Sequence, residues 1–350
     1  MAIVRKSRDN EAEEITGTLM VIGDLHTSPR YHGRHKNYWH SCQRVLEMVR
    51  TMLEKQVRSG KQVSLMILGD TFGVNERNFN DEFALQVVGR YYKAFNRLCN
   101  NRVYSVRGNH DMGEYTTFDY AKDEGWIRNP EYIDMVSAGG KKIARMHIVN
   151  YGHEHRKLDL LETGENVVFG HNDYVVEGIT PVYGGKTGDS SRGDRVLLSG
   201  LDNFIGVCMV VEGHIHTPLM RDDILATMKD GSTIQLVIPG SPSRVAERNE
   251  QCYSIIFDTI GEHIDYHNER IDLWPNDEEF EENEATEEEQ AILADAEARN
   301  KEVRGILEAV MGSRAYGIYD IPKQIESIPG FNDDSRRLAL EYYRGVGDQG

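Results

Sequence analysis

"GTLMVIGDLH", residues 17–26, is the stretch from which the fold is read. Its apolar run, Leu19 to Ile22, is too short for a helix and does not alternate, so it predicts a strand buried on both faces. The run stops at Gly23-Asp24, with His26 two residues on. Downstream, "YWHSCQRVLEMVRTMLEKQVRSG" (38–60) sets Val45, Leu46, Val49, Met52 and Leu53 at helical spacing and stops at Gly60. "QVSLMILGD" (62–70) repeats the strand ending in Gly-Asp, "DEFALQVVGRYYKAFNRLC" (81–99) reads as a helix, and "RVYSVRGNHD" (102–111) as a third strand. This β-α-β-α-β order predicts parallel strands joined by helical crossovers. In such sheets the loops leaving the carboxyl ends of the strands build the ligand site.

The second half is richer in strand. "KKIARMHIVNYG", "ENVVFGH", "GVCMVVEGH", "STIQLVIPGS" and "QCYSIIFDTIGEHIDYHNERI" are strand candidates, the last a hairpin turning near Gly261. The expected fold class is α/β, a two-layered β-sheet sandwich flanked by helices.

At 350 residues, 39% hydrophobic and 28% charged, the chain can bury a large core. No apolar run approaches the ~18 residues of a membrane span, and the N-terminus lacks the apolar stretch of a signal peptide, so no membrane association and a cytoplasmic location are expected. Cys42, Cys99, Cys208 and Cys252 are scattered with no C-x-x-C pair, and read as buried free thiols. The net charge of −17 argues against wrapping nucleic acid by bulk charge. About half of that excess lies in "NDEEFEENEATEEE" (276–289), whose nine acidic residues cannot pack a core. The expected division is therefore an extension (1–16), a body (17–274), an acidic linker (275–289) and a helical C-terminal segment (290–350). In that last segment Ile292, Leu293, Val303, Ile306, Leu307 and Val310 form an apolar stripe, and "DDSRRLALEYYRGV" (333–346) reads as a second helix.

Five predicted strands end in metal-binding residue types: "IGDLH" (Asp24, His26), "LGDTF" (Asp70), "RGNHD" (Asn109, His110, Asp111), "FGHND" (His171) and "EGHIH" (His214, His216). A lone Asp or His at a strand end is ordinarily a cap or turn residue. Five such endings, each after a glycine, mark a site, because sites are recognised by clusters. The donors are imidazole, carboxylate and amide oxygen without thiolate, which suits manganese, iron or zinc and excludes copper(I) and iron-sulfur clusters. Asp24 with His26, and His214 with His216, lie two apart and so share a face of an extended chain. With a bridging carboxylate, for which Asp70 is the candidate, the donors suffice for two ions, a known arrangement for phosphoryl transfer.

The ordered set G-D-x-H, G-D, G-N-H-D, G-H and G-H-x-H, complete between residues 23 and 216, resembles the calcineurin-like metallophosphoesterase superfamily. The resemblance implies Asp24, His26 and His216 on one ion, Asn109, His171 and His214 on a second, and Asp70 between them. It also implies that His110 faces the scissile phosphate and that Asp111 holds its ring. "VIPGSPSRVAERNEQCYSIIFD" (237–258) is similar to the strand and P-G-S-P turn that close the catalytic domain of SbcD-type double-strand-break repair nucleases of cells and bacteriophages. That likeness implies DNA as substrate, two manganese ions, a homodimer, and an SbcC-type coiled-coil ATPase docked on the C-terminal helices. A phosphatase or cyclic-nucleotide phosphodiesterase with the same centre, and an inactive scaffold, are the alternatives.

Three further stretches carry open expectations. "YGHEHRK" (151–157) offers a second G-H-x-H with His153 and His155, read as surface histidines. "RYHGRHKNYWH" (30–40) mixes basic and aromatic residues, either as a DNA-contacting surface or as a solvated loop. "VYGGKTGDSSRGDR" (182–195), with Lys186, Arg192 and Arg195, reads as a surface loop.

Overall fold

A computed structural model of the chain describes residues 13–29, 35–73, 82–177, 195–243, 251–275 and 278. In chain order its elements are β1 (Glu13–Ile15), β2 (Thr18–Ile22), α1 (Tyr38–Arg58), β3 (Val63–Ile67), α2 (Glu82–Leu98), β4 (Val103–Ser105), α3 (Thr117–Asp123), β5 (Tyr132–Val136), β6 (Lys142–Val149), β7 (Glu165–Gly170), β8 (Tyr174–Val175), β9 (Val196–Leu197), β10 (Met209–Glu212), β11 (Leu225–Thr227), β12 (Thr233–Val237), β13 (Gln251–Ile260) and β14 (His263–Asp272). The chain divides after Glu281. The second unit, 282–350, with the expected C-terminal helices, lies outside the described residues, as do 178–194 with Lys186 and Arg192.

The β-α-β-α-β expectation holds: β2, β3 and β4 pair in parallel, with α1 and α2 as the crossovers. The β13–β14 hairpin, turning at left-handed Gly261, adds two antiparallel strands, giving the order β14-β13-β2-β3-β4. A second sheet has the order β1-β5-β6-β7-β10-β12-β11 and is parallel at its centre, from β6 to β12. Successive residues of β2 serve different layers. Met20 and Ile22 pack with Val45, Leu46 and Val49 of α1, while Leu19 and Val21 pack with Met146, Phe169 and Val211 of the second sheet. Coverage on both faces is why the strand carries no polar alternation. Each such side chain stabilises the fold by about 1.5–3 kcal/mol.

Helix α1 begins where Asn37 accepts a hydrogen bond from His40 N (3.1 Å), which satisfies an otherwise orphaned donor. Its stripe of Val45, Leu46, Val49 and Leu53 is buried. Within 35–40 three rings turn inward: His35 and Tyr38 are buried with ring centroids 4.8 Å apart, and Trp39 packs on the core, while Lys36, Asn37 and His40 are exposed. Residues 30–34, with Arg30 and Arg34, lie outside the described residues.

Three things depart from expectation. Residues 13–15, read as part of an extension, form β1 against β5. Strand β5 escapes the sequence pattern because it carries Asp134, whose buried carboxylate is neutralised by Arg145 (2.7 Å) and Lys142 (2.6 Å). Of the four cysteines, Cys208 is exposed and the other three are buried. No helix among the described residues is long and apolar enough to cross a membrane.

Candidate metal centre

The strands that end in Gly-flanked polar residues, β2, β3 and β4 in one sheet and β7 and β10 in the other, deliver their C-terminal loops to one place. Asp24 Oδ2, His26 Nε2 and His216 Nε2 form one group, with His216 3.3 Å from Asp24 and 2.9 Å from His26, and His26 3.8 Å from Asp24. Asn109 Oδ1, His171 Nε2 and His214 Nδ1 form another, with separations of 3.0, 3.1 and 3.3 Å. Asp70 Oδ2 stands between them, 3.7 Å from His26 Nε2 and 3.2 Å from His171 Nε2. His110 Nε2 lies 4.0 Å from Asp70 Oδ2, and its ring meets that of His26 edge-on at 5.2 Å. Eight of the nine sequence-predicted residues thus face a common centre.

The backbone is shaped to make this possible. His26 (φ 42°) and Asp70 (φ 39°) are left-handed non-glycine residues, a strained state that persists where surrounding contacts enforce it. Gly108 is required by close approach: a Cβ there would lie 2.2 Å from Asp70 Oδ1.

The donor geometry is that of a cation site. His26 Nδ1 donates to Gly73 O (2.8 Å) and His171 Nδ1 donates to Leu68 O (2.8 Å). These bonds turn each Nε2 inward as an electron-pair donor, and backbone carbonyls orient metal-binding histidines in the same way. His171 Nε2 then faces two acceptors, Asn109 Oδ1 and Asp70 Oδ2, which only a positive charge between them can reconcile. Asp24 is fully buried, and neither of its carboxylate oxygens has a hydrogen-bond partner. Buried charge without a partner is costly, so the cluster fits divalent cations.

Electrostatics agree. Burial holds His26 and His214 down to about 4 each, so both are neutral and ready to ligate. Burial also opposes charge on His171, yet Asp70, Asp24 and Glu212 outweigh it and raise that imidazole well above its ordinary value. Burial pushes Asp70 up, but His171, His26 and His110 overcome it and hold the carboxyl below the usual range. The centre therefore draws in positive charge, taking a proton where no ion is bound.

Asp111 does not steer His110. Its two oxygens accept from backbone amides, Gly108 N (3.1 Å), Thr71 N (3.3 Å) and Phe72 N (3.3 Å), and so tie the Asp70 loop to the Asn109 loop. Burial and Asp70 push Asp111 up to about 8. What holds His110 is its own amide, which donates to Asp70 Oδ1 (2.8 Å). His110 and His216 keep side-chain exposures of 32% and 25%, and Asn109 and His214 are partly exposed with them.

Sequence reasoning missed Glu212, fully buried and pushed up to about 8 by burial, with Oε1 accepting from Asn172 N (3.0 Å). It also missed Tyr38 and Ser241, which bond the backbone of ligand-type residues. Only its adjacency to "GHIH" could have drawn attention to Glu212.

Several solved structures are similar at low identity. The 5'-nucleotidase precursor of Thermus thermophilus is 13% identical over 73% of this chain and 54% of its own, at a TM-score of 0.40, so the chain spans about half of that protein. The NAD nucleotidase of Haemophilus influenzae is 9% identical over 95% and 60%, at a TM-score of 0.38. A sulfate thiohydrolase of Thermus thermophilus is 12% identical over 88% and 69%, at 0.36. No curated protein is significantly similar in sequence. The Calcineurin-like phosphoesterase family profile matches residues 17–218, more than half of the chain and all five strand-end motifs, and on that match the chain belongs to this family.

Proposed function

We propose that this phosphoesterase-family hydrolase is a two-cation phosphodiesterase acting on DNA, of SbcD type. The observation that carries the two-cation reading is Asp70 Oδ2 between two donor groups, 3.7 Å from His26 Nε2 and 3.2 Å from His171 Nε2, beside a buried Asp24 carboxylate that accepts no hydrogen bond. Asp24, His26 and His216 would hold one ion, Asn109, His171 and His214 the other, and Asp70 both. Manganese is the proposed metal, with iron and zinc as alternatives of similar donor preference. Such a pair supplies charge neutralisation for phosphoryl oxygens and acidifies water for in-line displacement.

The chain's own groups do the rest. The Gly73 and Leu68 carbonyls keep the imidazole lone pairs turned inward. His110, half-exposed beside Asp70, hydrogen-bonds the phosphoryl group and delivers a proton to the leaving oxygen. The DNA part of the reading is supported by the "PGSP" turn and the amphipathic tail. On this reading the chain works as a homodimer beside an SbcC-type ATPase, docked through the helices of 290–350. The net charge of −17 favours a second reading, hydrolysis of small phosphoesters.

The test is DNA degradation with manganese, with the ATPase subunit present, by the wild type and His110→Ala, with metal content measured on both. The expected result is cleavage that falls about 10²–10⁴-fold in His110→Ala while metal is retained, the range of a general acid–base contribution. Turnover of small aryl phosphodiesters but not DNA would select the second reading.

A further inference from the structure

The turn Gly240–Ser243, part of the "PGSP" stretch, has no place in the chemistry above, but its contacts give it one. Ser241 Oγ donates to Asp24 O (2.8 Å), and Ser241 N donates to His216 O (3.1 Å). Ser243 N donates back to Ser241 Oγ (3.1 Å), and Ser243 Oγ shares a hydrogen bond with Tyr38 OH (3.0 Å). Tyr38 OH in turn donates to His26 O (2.8 Å). One connected set of three hydroxyls and two amides therefore grips the backbone carbonyls of Asp24, His26 and His216, the whole first group. All three supporting side chains are buried, with Ser241 at 0%, Ser243 at 2% and Tyr38 at 5% exposure.

The second group lacks this grip. Backbone carbonyls orient an imidazole in both groups, Gly73 O for His26 and Leu68 O for His171, but among the described residues neither Ser241 nor Ser243 hydrogen-bonds Asn109, His171 or His214. The need for a grip is also greater on the first side, because His26 is held in the left-handed region, where a non-glycine residue relaxes once its anchors are removed. Tyr38 is in the first turn of α1, so the relay couples the docking of that helix to the place where His26 presents Nε2.

We propose that Tyr38, Ser241 and Ser243 are positioning residues that set cation affinity on the Asp24–His26–His216 side alone. The inference rests on the reading that the centre holds two cations, and it assigns each half its own support. In this protein the turn is part of the metal site's scaffold.

The experiment is manganese titration of the full chain by calorimetry, with paramagnetic resonance to distinguish paired from isolated ions. The variants are Tyr38→Phe and Ser241→Ala. The expected result is two ions on the wild type, one ion at wild-type affinity on each variant, and the other weakened about 10–100-fold, the usual effect of losing an outer partner. The paired-ion signal should give way to an isolated one. Placed in a His214→Ala background, Tyr38→Phe should weaken the remaining ion; in a His216→Ala background it should add nothing. Thermal unfolding of the metal-free proteins identifies a variant that has lost its fold, and Tyr38→Phe, which removes only an oxygen, stands in for Ser241→Ala in that case. Equal weakening of both ions, or of neither, overturns the proposal and leaves the two-cation reading intact. A wild type that binds no manganese overturns both.

Discussion

Two stretches of this chain read G-H-x-H after an apolar strand, and only one became part of the centre. "GHIH", 213–216, follows β10; "GHEH", 152–155, follows β6 after a two-residue turn. Both strands run parallel in the same sheet, with β7 between them, so both send loops to the same edge. The difference lies in what their glycines touch. A Cβ on Gly213 would lie 2.1 Å from Leu68 O, 2.8 Å from Asp24 Oδ1 and 2.9 Å from His171 Nδ1, whereas Gly152 (φ +73°) has nothing within 4 Å. The first glycine lets two loops close on each other; the second lets the chain turn outward, leaving His153 and His155 exposed. The second stretch still serves the site through Tyr151, whose N donates to Arg107 O (2.9 Å) and whose ring lies 6.4 Å from that of His214. Motif letters alone do not carry function; a strand-end glycine pressed against a neighbouring loop does.

The largest effect is expected from the histidines of the first stretch. His214→Ala and His216→Ala should each remove one ion's share of ligands, and turnover should fall by more than the roughly 100-fold that losing an outer partner costs. Metal stoichiometry by elemental analysis checks this directly. Two ions retained in either variant would break the division of the centre into two groups.

The glycines come next. Gly213→Ala must displace a backbone oxygen that orients His171, so it should destabilise the protein by about 1–3 kcal/mol and weaken both ions. Gly152→Ala meets open space and pays only for its left-handed backbone, about 1–2 kcal/mol, with metal binding unchanged. Chemical denaturation gives the stabilities. Parallel manganese titrations show whether the two costs differ in kind, as the comparison requires.

Proton linkage separates the two halves of the centre by a smaller margin. His171 is raised well above its ordinary value by Asp70, Asp24 and Glu212 against the pull of burial, so at neutral pH it must lose a proton before a cation can take its Nε2. Affinity on that side should rise with pH, by up to about tenfold per unit, until the folded value is passed. His26, lowered to about 4 by burial, is already neutral, so it adds no such dependence above about pH 5. For the metal-free protein the signs are opposite. The stability His171 contributes is complete below its unfolded value and is lost as pH rises through the folded one. That of His26 and His214 is lost as pH falls from about 6.5 toward 4. Calorimetry of manganese binding in buffers of different ionisation enthalpy should count about one proton released from His171 for the second ion.

Much of this was legible in the sequence, for a physical reason. Leu19–Ile22, Val63–Ile67 and Val167–Phe169 are strands covered on both faces, so composition alone identifies them, and the glycine after or at the end of each marks the site side. Edge elements β1 and β11 were not legible, because three residues carry no periodicity and neither runs into a glycine-led polar motif as the equally short β4 does. Nor was the role of Asp111, since its amide partners at Thr71 and Phe72 lie about forty positions away in sequence. The relay through Tyr38 and Ser241 joins residues about two hundred positions apart through backbone carbonyls, which leave no mark on residue type.

The smallest effect belongs to the second stretch. His153 and His155 are exposed, and His155 has Glu154 as an ionic neighbour at 3.8 Å, a surface contact of little energetic weight. The double variant His153→Ala/His155→Ala should keep both ions, keep its turnover, and change stability by no more than about 0.5 kcal/mol. Tyr151→Ala in the same loop should do more, because its ring packs beside His214, and a truncation there loosens that imidazole. If the histidine pair cost the protein an ion while Tyr151→Ala did not, the loop would be ligating through its motif, and close packing of the glycine would no longer explain which G-H-x-H is used.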